Sequence, residues 1–326
     1  MAKQFSSAAL KKFVAVLCAL FLAAMMLITL SACSGEEPAP SGDGGKRFPT
    51  TESDGFTQTY NGGYTSIVHR VENEENGNSI YGRIFTKDDI FDESEKYPLL
   101  IMSHGYNSVS MDARNGMAQY ALDSGMVVYT FDFCGGGKMS KSEGEITEMS
   151  VETEISDLES VINEISALPY VDSSKVVLFG HSFGGLVSAL TSARHSSQIA
   201  GLILHAPAFG GVVNKDNSPY SSVDEIPETV QNGALTVGKV FYEDMWDLYP
   251  YEEIKSFDKY VYIMNGSEDR DQTPTLDAYN GRAVPASPSC EMHIVEGAGH
   301  DFTAGQYLGQ EQELTAYLVK AGVFAA

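Results

Sequence analysis

The stretch Val-Val-Leu-Phe-Gly-His-Ser-Phe-Gly-Gly, residues 176–185, predicts a buried β-strand that turns sharply into a helix. Four apolar residues precede its first glycine, and a second apolar segment follows Gly185. Between them lies the pattern G-x-S-x-G, in which a tight strand-to-helix turn lifts the serine hydroxyl above the sheet. Such a turn leaves room only for small residues on either side. Ser182 is therefore the candidate nucleophile.

A serine hydroxyl needs a base to take its proton, and the base needs a carboxylate to orient it. When the serine lies on such a turn, the acid and then the histidine follow it in the chain. His300 lies in the loop 296–302, Glu-Gly-Ala-Gly-His-Asp-Phe, after a predicted strand. The other downstream histidines, His195, His205 and His293, fall on a predicted helix or inside predicted strands. His300 is thus the predicted base, because strand-end loops hold the chemistry of parallel sheets.

The acid is expected at the end of the preceding strand. The run Tyr-Val-Tyr-Ile-Met at 260–264 is followed by Asn-Gly-Ser-Glu-Asp-Arg-Asp at 265–271. Three acids compete in this loop, and a solvated acidic turn accounts for two of them. We select Asp269, three residues after the glycine, and Asp271 remains the alternative. Arg270 between them can bias the ionisation of either.

The tetrahedral intermediate of acyl transfer requires two hydrogen-bond donors. One is the backbone N–H of Phe183, directly after the nucleophile. The second is expected from the loop after an earlier strand. That loop is Ser-His-Gly-Tyr-Asn at 103–107, where the glycine permits a tight turn, so the N–H of Tyr106 is the predicted second donor. His104 is interpreted as a structural residue that packs behind this loop.

These motifs together resemble a known family. The segments are Ser-His-Gly-Tyr-Asn, Phe-Asp-Phe-Cys-Gly-Gly-Gly-Lys with a later Ser-Glu-Gly, Gly-His-Ser-Phe-Gly-Gly, Gly-Ser-Glu-Asp and Gly-Ala-Gly-His-Asp-Phe. Their order and spacing over residues 62–322 resemble those of α/β-hydrolase esterases, in particular the bacterial feruloyl (cinnamoyl) esterase-like group. The resemblance implies an esterase for small or aromatic acyl esters. The chain departs from the group at the acid loop, where four residues separate Asp269 from Pro274.

The apolar runs predict an α/β fold of the α/β-hydrolase type. Segments 64–71 and 79–86 alternate with period two and predict an opening antiparallel pair. Six continuous apolar runs predict strands covered on both faces: Leu99–Ser103, Val127–Phe131, Val176–Phe179, Leu202–His205, Val261–Met264 and Met292–Val295. Helical spacing between Val151 and Ile165, with Ser150 as N-cap, indicates a crossover helix. We therefore expect a mostly parallel, doubly wound sheet of about eight strands.

Residues 206–256 interrupt the alternation and predict a small lid insertion. The segment contains Gly/Asn/Ser/Pro-rich sequence, several aromatic residues and the single tryptophan of the chain. One hypothesis is that Phe209, Trp246 and their neighbours form walls of the substrate pocket. The other is that the aromatic face packs on the sheet without touching substrate, since aromatic side chains serve both purposes.

The N-terminus predicts a lipoprotein signal. Lys3, Lys11 and Lys12 precede a charge-free run from Phe13 to Gly35, which contains Leu-Ser-Ala-Cys at 30–33. We expect a signal peptide at 1–32, lipid on Cys33, a disordered tether at 33–55 and a hydrolase domain at 56–326. The enzyme would then be held outside the cytoplasm, on the cell membrane. An uncleaved transmembrane anchor and ordinary secretion are the alternatives.

Charge and cysteine content exclude several classes of partner. The formal charge is −23, and loss of residues 1–32, with three lysines and no acids, makes it −26. Such a protein is not expected to bind nucleic acid or an anionic membrane surface unaided. Cys134 and Cys290 are expected at opposite edges of the sheet as two thiols. No Cys/His spacing suggests a metal site, no cofactor is expected, and the sequence does not predict an oligomeric state.

Three functions fit the sequence. The first is a serine carboxylesterase in which Ser182 attacks a small-molecule ester, with His300, Asp269 and two backbone donors assisting. The second is a serine peptidase on the same scaffold, because the triad does not choose between oxygen and nitrogen leaving groups. The third is a non-catalytic surface binding protein, which is disfavoured because the serine, the histidine and the glycines of the turn are all present.

Overall fold

The structure is a computed structural model that describes residues 57–60, 63–111, 115–269 and 290–325. The strands are β1 (Thr57–Tyr60), β2 (Tyr64–Val68), β3 (Val71–Glu72), β4 (Ser79–Ile80), β5 (Gly82–Lys87), β6 (Tyr97–Ser103), β7 (Val127–Phe131), β8 (Val171–His181), β9 (Gly201–His205), β10 (Thr229–Asn232), β11 (Leu235–Gly238), β12 (Tyr260–Gly266) and β13 (Cys290–Val295). The α-helices are α1 (Gly116–Asp123), α2 (Val151–Ser166), α3 (Phe183–Arg194), α4 (Val240–Glu243), α5 (Pro250–Glu253), α6 (Ala304–Leu308) and α7 (Glu311–Lys320). Short 3₁₀ turns occur at Phe209–Gly211, Val223–Glu225 and Ile254–Ser256.

One large sheet organises the described chain, with the strand order β1-β2-β5-β7-β6-β8-β9-β12-β13. From β7 to β13 the neighbouring strands of this sheet run parallel. The strands β1, β2 and β5 add antiparallel pairings at one side. The predicted mostly parallel sheet and its opening antiparallel pair are confirmed. The sheet has nine strands in the described structure, where about eight were predicted. The additional strand is β1, which pairs with β2 at the edge.

Two hydrophobic cores cover the two faces of the sheet. Successive residues of a strand point to opposite faces, so Leu99 and Ile101 of β6 enter one core while Leu100 and Met102 enter the other. The helices α2 and α3 pack on the first face, and α1 and α7 pack on the second. This two-sided cover explains why the parallel strands read as continuous apolar runs.

The crossover helix α2 begins where its sequence predicts. The hydroxyl of Ser150 accepts a hydrogen bond from the N–H of Thr153, and the N–H of Ser150 donates one to the Thr153 hydroxyl at 2.8 Å. This capping box satisfies backbone donors that a helix start leaves unpaired. The buried face of the helix includes Ile155, Leu158 and Ile162 at helical spacing. The buried face and the capping box therefore both match the helix that the sequence predicts.

The parallel strands bring five connections to one edge of the sheet. Strands β6, β8, β9, β12 and β13 are consecutive neighbours, and their carboxyl ends lie side by side. The loops that follow them start at residues 104, 182, 206, 267 and 296. Every described residue predicted for the reaction lies within five residues of one of these strand ends.

The insertion at 206–256 follows β9 and has its own small structure. Strands β10 and β11 form a hairpin, and α4 and α5 follow it. Its apolar side chains join the core on the face of α2 and α3; those deeply buried include Val212, Leu235, Val237, Phe241, Met245 and Leu248. The hydroxyl of Ser150 donates a hydrogen bond to the Asp244 carboxylate, which ties the insertion to the start of α2.

Candidate active site

Ser182 occupies a strained position between β8 and α3. Its backbone has φ +54° and ψ −118°, a conformation that non-glycine residues rarely adopt. The N–H of Ser182 donates to the carbonyl of His205 at 3.0 Å, and its own carbonyl accepts from Gly185 at 3.0 Å and Ala208 at 2.9 Å. The surrounding backbone therefore holds the turn that the sequence pattern predicts.

The glycines of the turn are required by close backbone packing. A Cβ atom on Gly180 would overlap the carbonyl oxygen of Gly184, and one on Gly184 would overlap the carbonyl oxygen of His104. On Gly185 a Cβ atom would lie 3.0 Å from the Cα of Pro207. The G-x-S-x-G-G pattern thus has a steric cause, and a side chain at these positions would force the β8–α3 turn apart.

The two amides predicted as oxyanion donors, those of Tyr106 and Phe183, lie on segments next to Ser182. Neither the N–H of Tyr106 nor that of Phe183 donates a hydrogen bond within the described parts of the chain. A Cβ atom on Gly105 would lie 3.1 Å from the Cβ of Ser182, so the 104–107 loop passes next to the nucleophile. Phe183 opens α3, where backbone N–H groups lack helical partners. Both amides are thus available for a developing oxyanion.

His104 orients the loop that carries Tyr106. Its Nε2 accepts a hydrogen bond from the N–H of Phe133 at 3.0 Å, so the proton of this buried ring is on Nδ1, which donates to the carbonyl of Gly105 at 2.8 Å. A trans peptide points its N–H away from its carbonyl. By holding the Gly105 carbonyl, His104 directs the N–H of Tyr106 to the opposite side. This matches its interpretation as a structural residue behind the loop.

His300 and Asp269 lie in contact at the same edge. The Nδ1 atom of His300 lies 3.0 Å from Oδ2 of Asp269, and the carboxylate is buried. Backbone bonds hold the acid loop, because the N–H of Asp269 donates to Gly266 and the N–H of Glu268 donates to Ala298. Asp271, the alternative acid, lies outside the described residues. The catalytic assignment of Asp269 stays a prediction, with this contact in its favour.

Ser182 and His300 are linked through His181, the residue directly before Ser182. Among the described residues, the Ser182 hydroxyl makes no direct hydrogen bond to His300. Instead, Nε2 of His181 donates to the carbonyl of His300 at 3.1 Å. Bonds between nucleophile and base are often long until the transition state forms. Sequence reasoning missed His181, although this residue lies inside the G-x-S-x-G motif.

The insertion places an aromatic ring against the residues around Ser182. The ring of Phe241 lies 5.8 Å from the ring of Tyr106 and 5.8 Å from that of Phe183. The hydroxyl of Tyr106 donates to the carbonyl of Asn232 in the same insertion at 3.1 Å. These contacts place one wall of aromatic side chains beside Tyr106 and Phe183, whose amides are predicted to bind the oxyanion. The aromatic content of 241–249 was the only sequence signal for it.

The two aromatic residues named from the sequence have other contacts. Phe209 is buried and packs on Tyr251 at 5.7 Å, and Trp246 is half-buried with its carbonyl accepting from Lys215. A cavity of about 540 Å³ lies beside Phe209 and is lined only by insertion residues, which do not include Phe241. Ser182 does not line this cavity either.

Burial controls the protonation of several groups near the strand ends. Burial, and then the nearby charge of His300, lowers the pKa of His181 to about 4. Burial also holds the pKa of His205 well below its usual value. On α2, burial raises the pKa of Glu154 well above its usual value, and the Glu154 Oε2 atom has no hydrogen-bond partner in the described structure. Sequence reasoning missed Glu154 because nothing local marks it as buried.

The described residues show neither a metal site nor a membrane span. Among them, no group of three or more histidine, cysteine or acidic side chains could hold a metal ion. None of the described helices has the length and apolar character to cross a bilayer. Cys134 and Cys290 are both free thiols, as expected. Cys33, the signal peptide and the tether lie outside the described residues.

Comparisons with known sequences agree with this geometry over part of the chain. Residues 94–236, which include Ser182, match a family profile described as serine aminopeptidase, S33. An uncharacterised 31.7 kDa protein of Escherichia coli is 28% identical over 181 residues, which are 49% of this chain and 62% of that protein. The 1-acylglycerol-3-phosphate O-acyltransferase ABHD5 of Rattus norvegicus is 30% identical over 137 residues, 40% of this chain and 34% of that protein. The chain thus spans less than two thirds of the length of these relatives.

A solved structure extends the comparison to the whole fold. The structure of Est1E from Butyrivibrio proteoclasticus with bound ferulic acid superimposes with a TM-score of 0.65 at 16% sequence identity, and covers 77% of this chain and 99% of that one. At this identity the likeness concerns the fold. The sheet order, the strained serine turn and this likeness agree, and the chain has the α/β-hydrolase fold.

Proposed function

We propose that the protein is a serine carboxylic-ester hydrolase that works through an acyl-enzyme. The observation that carries the proposal is the 3.0 Å contact between His300 and Asp269, at the sheet edge where Ser182 is held at positive φ. A carboxylate bound to one imidazole nitrogen fixes the tautomer whose other nitrogen can accept a proton. The arrangement therefore supports His300 as a general base for the Ser182 hydroxyl.

The reaction follows from these positions. His300 Nε2 takes the proton of Ser182 as Oγ attacks the ester carbonyl, and the resulting oxyanion accepts hydrogen bonds from the N–H groups of Tyr106 and Phe183. Collapse of the intermediate expels the alcohol, which takes the proton back from His300. Water, deprotonated by His300, then attacks the acyl-enzyme; the tetrahedral intermediate releases the acid, and His300 returns the proton to Ser182 Oγ. Asp269 stabilises the imidazolium in both halves.

The aromatic wall supports small or aromatic acyl esters as the substrate class. Phe241 contacts Tyr106 and Phe183, the two residues whose amides are the proposed oxyanion donors. A flat ring can pack against such rings with offset or edge contacts. The ferulic acid bound in the Est1E structure gives this preference additional support. In this proposal the 206–256 insertion is a small lid over the substrate.

A panel of esters tests the function. Residues 56–326, produced as a soluble protein, should hydrolyse aryl, short-acyl and hydroxycinnamoyl esters and prefer them to long-chain triglycerides. Differences should appear in kcat/KM, which measures selectivity at the transition state. Ser182→Ala should remove the activity. Faster turnover of long-chain lipids, or an alanine variant that is still active, would contradict the proposal.

The matched family profile favours one second candidate, a serine peptidase. The same triad can release an amine, and the profile is described as a serine aminopeptidase. Aminoacyl arylamides compared with aryl esters of the same acyl group separate the two. Selectivity for the arylamide, abolished by Ser182→Ala, would replace the esterase proposal.

We also propose that the enzyme is a membrane-anchored lipoprotein outside the cytoplasm. The support is the basic N-terminus, the charge-free run and Leu-Ser-Ala-Cys at 30–33. Mass spectrometry of the native protein should find an acylated N-terminus at Cys33, and Cys33→Ala should remain unprocessed or lose its membrane attachment. A mature start elsewhere, without lipid, would favour a plain signal or an uncleaved anchor.

A further inference from the structure

We propose that His181, the residue before the nucleophile, is a positioning residue that fixes the backbone of His300. The proposal rests on the proposed function, and it assigns a role that the triad itself does not include. Its first observation is the hydrogen bond from His181 Nε2 to the carbonyl of His300 at 3.1 Å. A carbonyl can only accept, so Nε2 carries the proton of the neutral ring. The side chain is thus a donor aimed at the main chain of the base.

Packing fixes the orientation of this donor. Register pairs His181 of β8 with His205 of β9, and their rings stack at 4.5 Å with an angle of 27°. On the other side of His181, the centre of the His300 ring lies 4.9 Å from the centre of the His181 ring. His205 is held in turn, because its Nδ1 lies 2.7 Å from the hydroxyl of Tyr307. His181 therefore lies between the sheet and the loop that it holds.

The loop before His300 is anchored up to Ala298, which is buried against Gly266, so the question is what holds His300 itself. Gly297 adopts φ +69°, and a Cβ atom on Gly297 or Gly299 would meet no described atom within 4 Å. Glycines in open space leave the backbone free to move. Three bonds tie the loop before His300: the N–H of Gly297 donates to the Ser267 hydroxyl at 2.8 Å, the N–H of Ala298 to the Val295 carbonyl at 3.2 Å, and the N–H of Glu268 to the Ala298 carbonyl at 2.9 Å. In the described parts of the chain, the bond from His181 is the one that holds the carbonyl of His300. Displacement of a catalytic group by about 1 Å can lower a rate roughly 100-fold.

The charges around His181 favour a neutral donor. The titratable groups that face it are His205, His300, Asp301 and Asp269, with Asp301 Oδ1 at 3.7 Å from its Nε2. During the proposed reaction His300 becomes an imidazolium, and a second positive charge at ring distance would oppose this step. A neutral His181 can hold the loop without that repulsion.

Two substitutions of His181 distinguish the effect of its hydrogen bond from the effect of its ring packing. His181→Phe keeps a ring between His205 and His300 but removes the donor, and His181→Gln keeps an N–H donor but removes the ring. His195→Gln is the matched control, since His195 contacts Glu159 on α2 rather than His300. We expect His181→Phe to lower kcat about 10- to 100-fold with KM within about threefold. His181→Gln and the control should stay within about fivefold of the parent.

A proton NMR signal gives a readout that does not depend on turnover. The far-downfield resonance of the proton between His300 and Asp269 should broaden or shift in His181→Phe and persist in His181→Gln, with the melting temperatures of both variants reported alongside. An unchanged signal and unchanged kcat in His181→Phe would overturn the proposal. Equal loss in both variants would assign the effect to ring packing and also overturn it. A parent protein that shows the signal but cleaves neither ester nor amide would contradict the proposed function alone.

Discussion

The strand-end framework and the insertion are built in different ways. The framework comprises residues 103–107, 180–185, 265–269 and 296–300, and its positions are set largely by backbone contacts, such as the approach of Gly184 to the carbonyl of His104. The insertion at 206–256 reaches the site through side chains, with Phe241 packed on Tyr106 and Phe183. Backbone contacts tolerate no added atom, whereas packed rings tolerate exchange. We therefore expect substitutions in the framework to abolish activity and substitutions in the insertion to change selectivity.

After loss of the nucleophile itself, the largest effect is expected from the acid of the framework. Asp269→Asn keeps the size of the side chain but removes the charge that stabilises the His300 imidazolium. It should lower kcat by on the order of 10³- to 10⁴-fold with little change in folding. Steady-state kinetics on an aryl ester measure this. Asp271→Asn is the matched control, and if it is the variant that loses activity while Asp269→Asn does not, then Asp271 is the acid.

A glycine-to-alanine substitution in each region tests whether close backbone contacts restrict the framework more than the insertion. Gly184→Ala forces its Cβ onto the carbonyl of His104, so we expect a loss of stability of about 3 kcal/mol or more, or failure to fold. Gly211→Ala in the insertion meets Ala208 Cβ at an ordinary 3.7 Å and should be tolerated. Denaturant unfolding of both variants provides the comparison. Equal stability of the two would remove the steric account of the serine turn.

A ring deletion in the insertion should alter selectivity. Phe241→Leu removes the ring that packs on Tyr106 and Phe183 but still fills its buried position, and we expect kcat/KM to fall about 10-fold for an aromatic acyl ester and less for an acetyl ester. Tyr251→Ala, which removes a ring packed on Phe209 in the same insertion, should leave the ratio unchanged. A uniform loss with both esters would place Phe241 in folding rather than in recognition.

The smallest effect concerns pH and the helix that supports the insertion. Glu154 is buried on α2 and its pKa is raised, so the folded protein holds a proton that the unfolded chain releases above about pH 4.3. Stability from this group is therefore present at low pH and is lost as pH rises towards the folded pKa. Glu154→Gln, which does not titrate, should raise the melting temperature by about 3 °C at pH 8 and by much less at pH 4.5. A pH-independent difference would contradict this assignment.

The sequence predicts the framework well because its signals are local. Glycine spacing around Ser182, apolar runs before each strand end and the position of His300 after β13 all follow from neighbouring residues. Contacts between segments that are far apart in the chain leave no such local signal. The bond from His181 to His300 joins residues 119 positions apart, and that from Tyr106 to Asn232 joins residues 126 apart. Such pairs depend on strand order and insertion packing, which is why the packing of Phe241 on Tyr106 and Phe183 cannot be predicted from neighbouring residues.

The central claim is that Ser182 is the nucleophile, and covalent labelling tests it most directly. A fluorophosphonate reacts with a serine only when a base activates it, and its adduct resists hydrolysis. We predict one adduct per chain, mapped by peptide mass spectrometry to Ser182, and no adduct on a folded Ser182→Ala variant. An adduct on another serine, or a folded parent protein that does not react, would contradict the account.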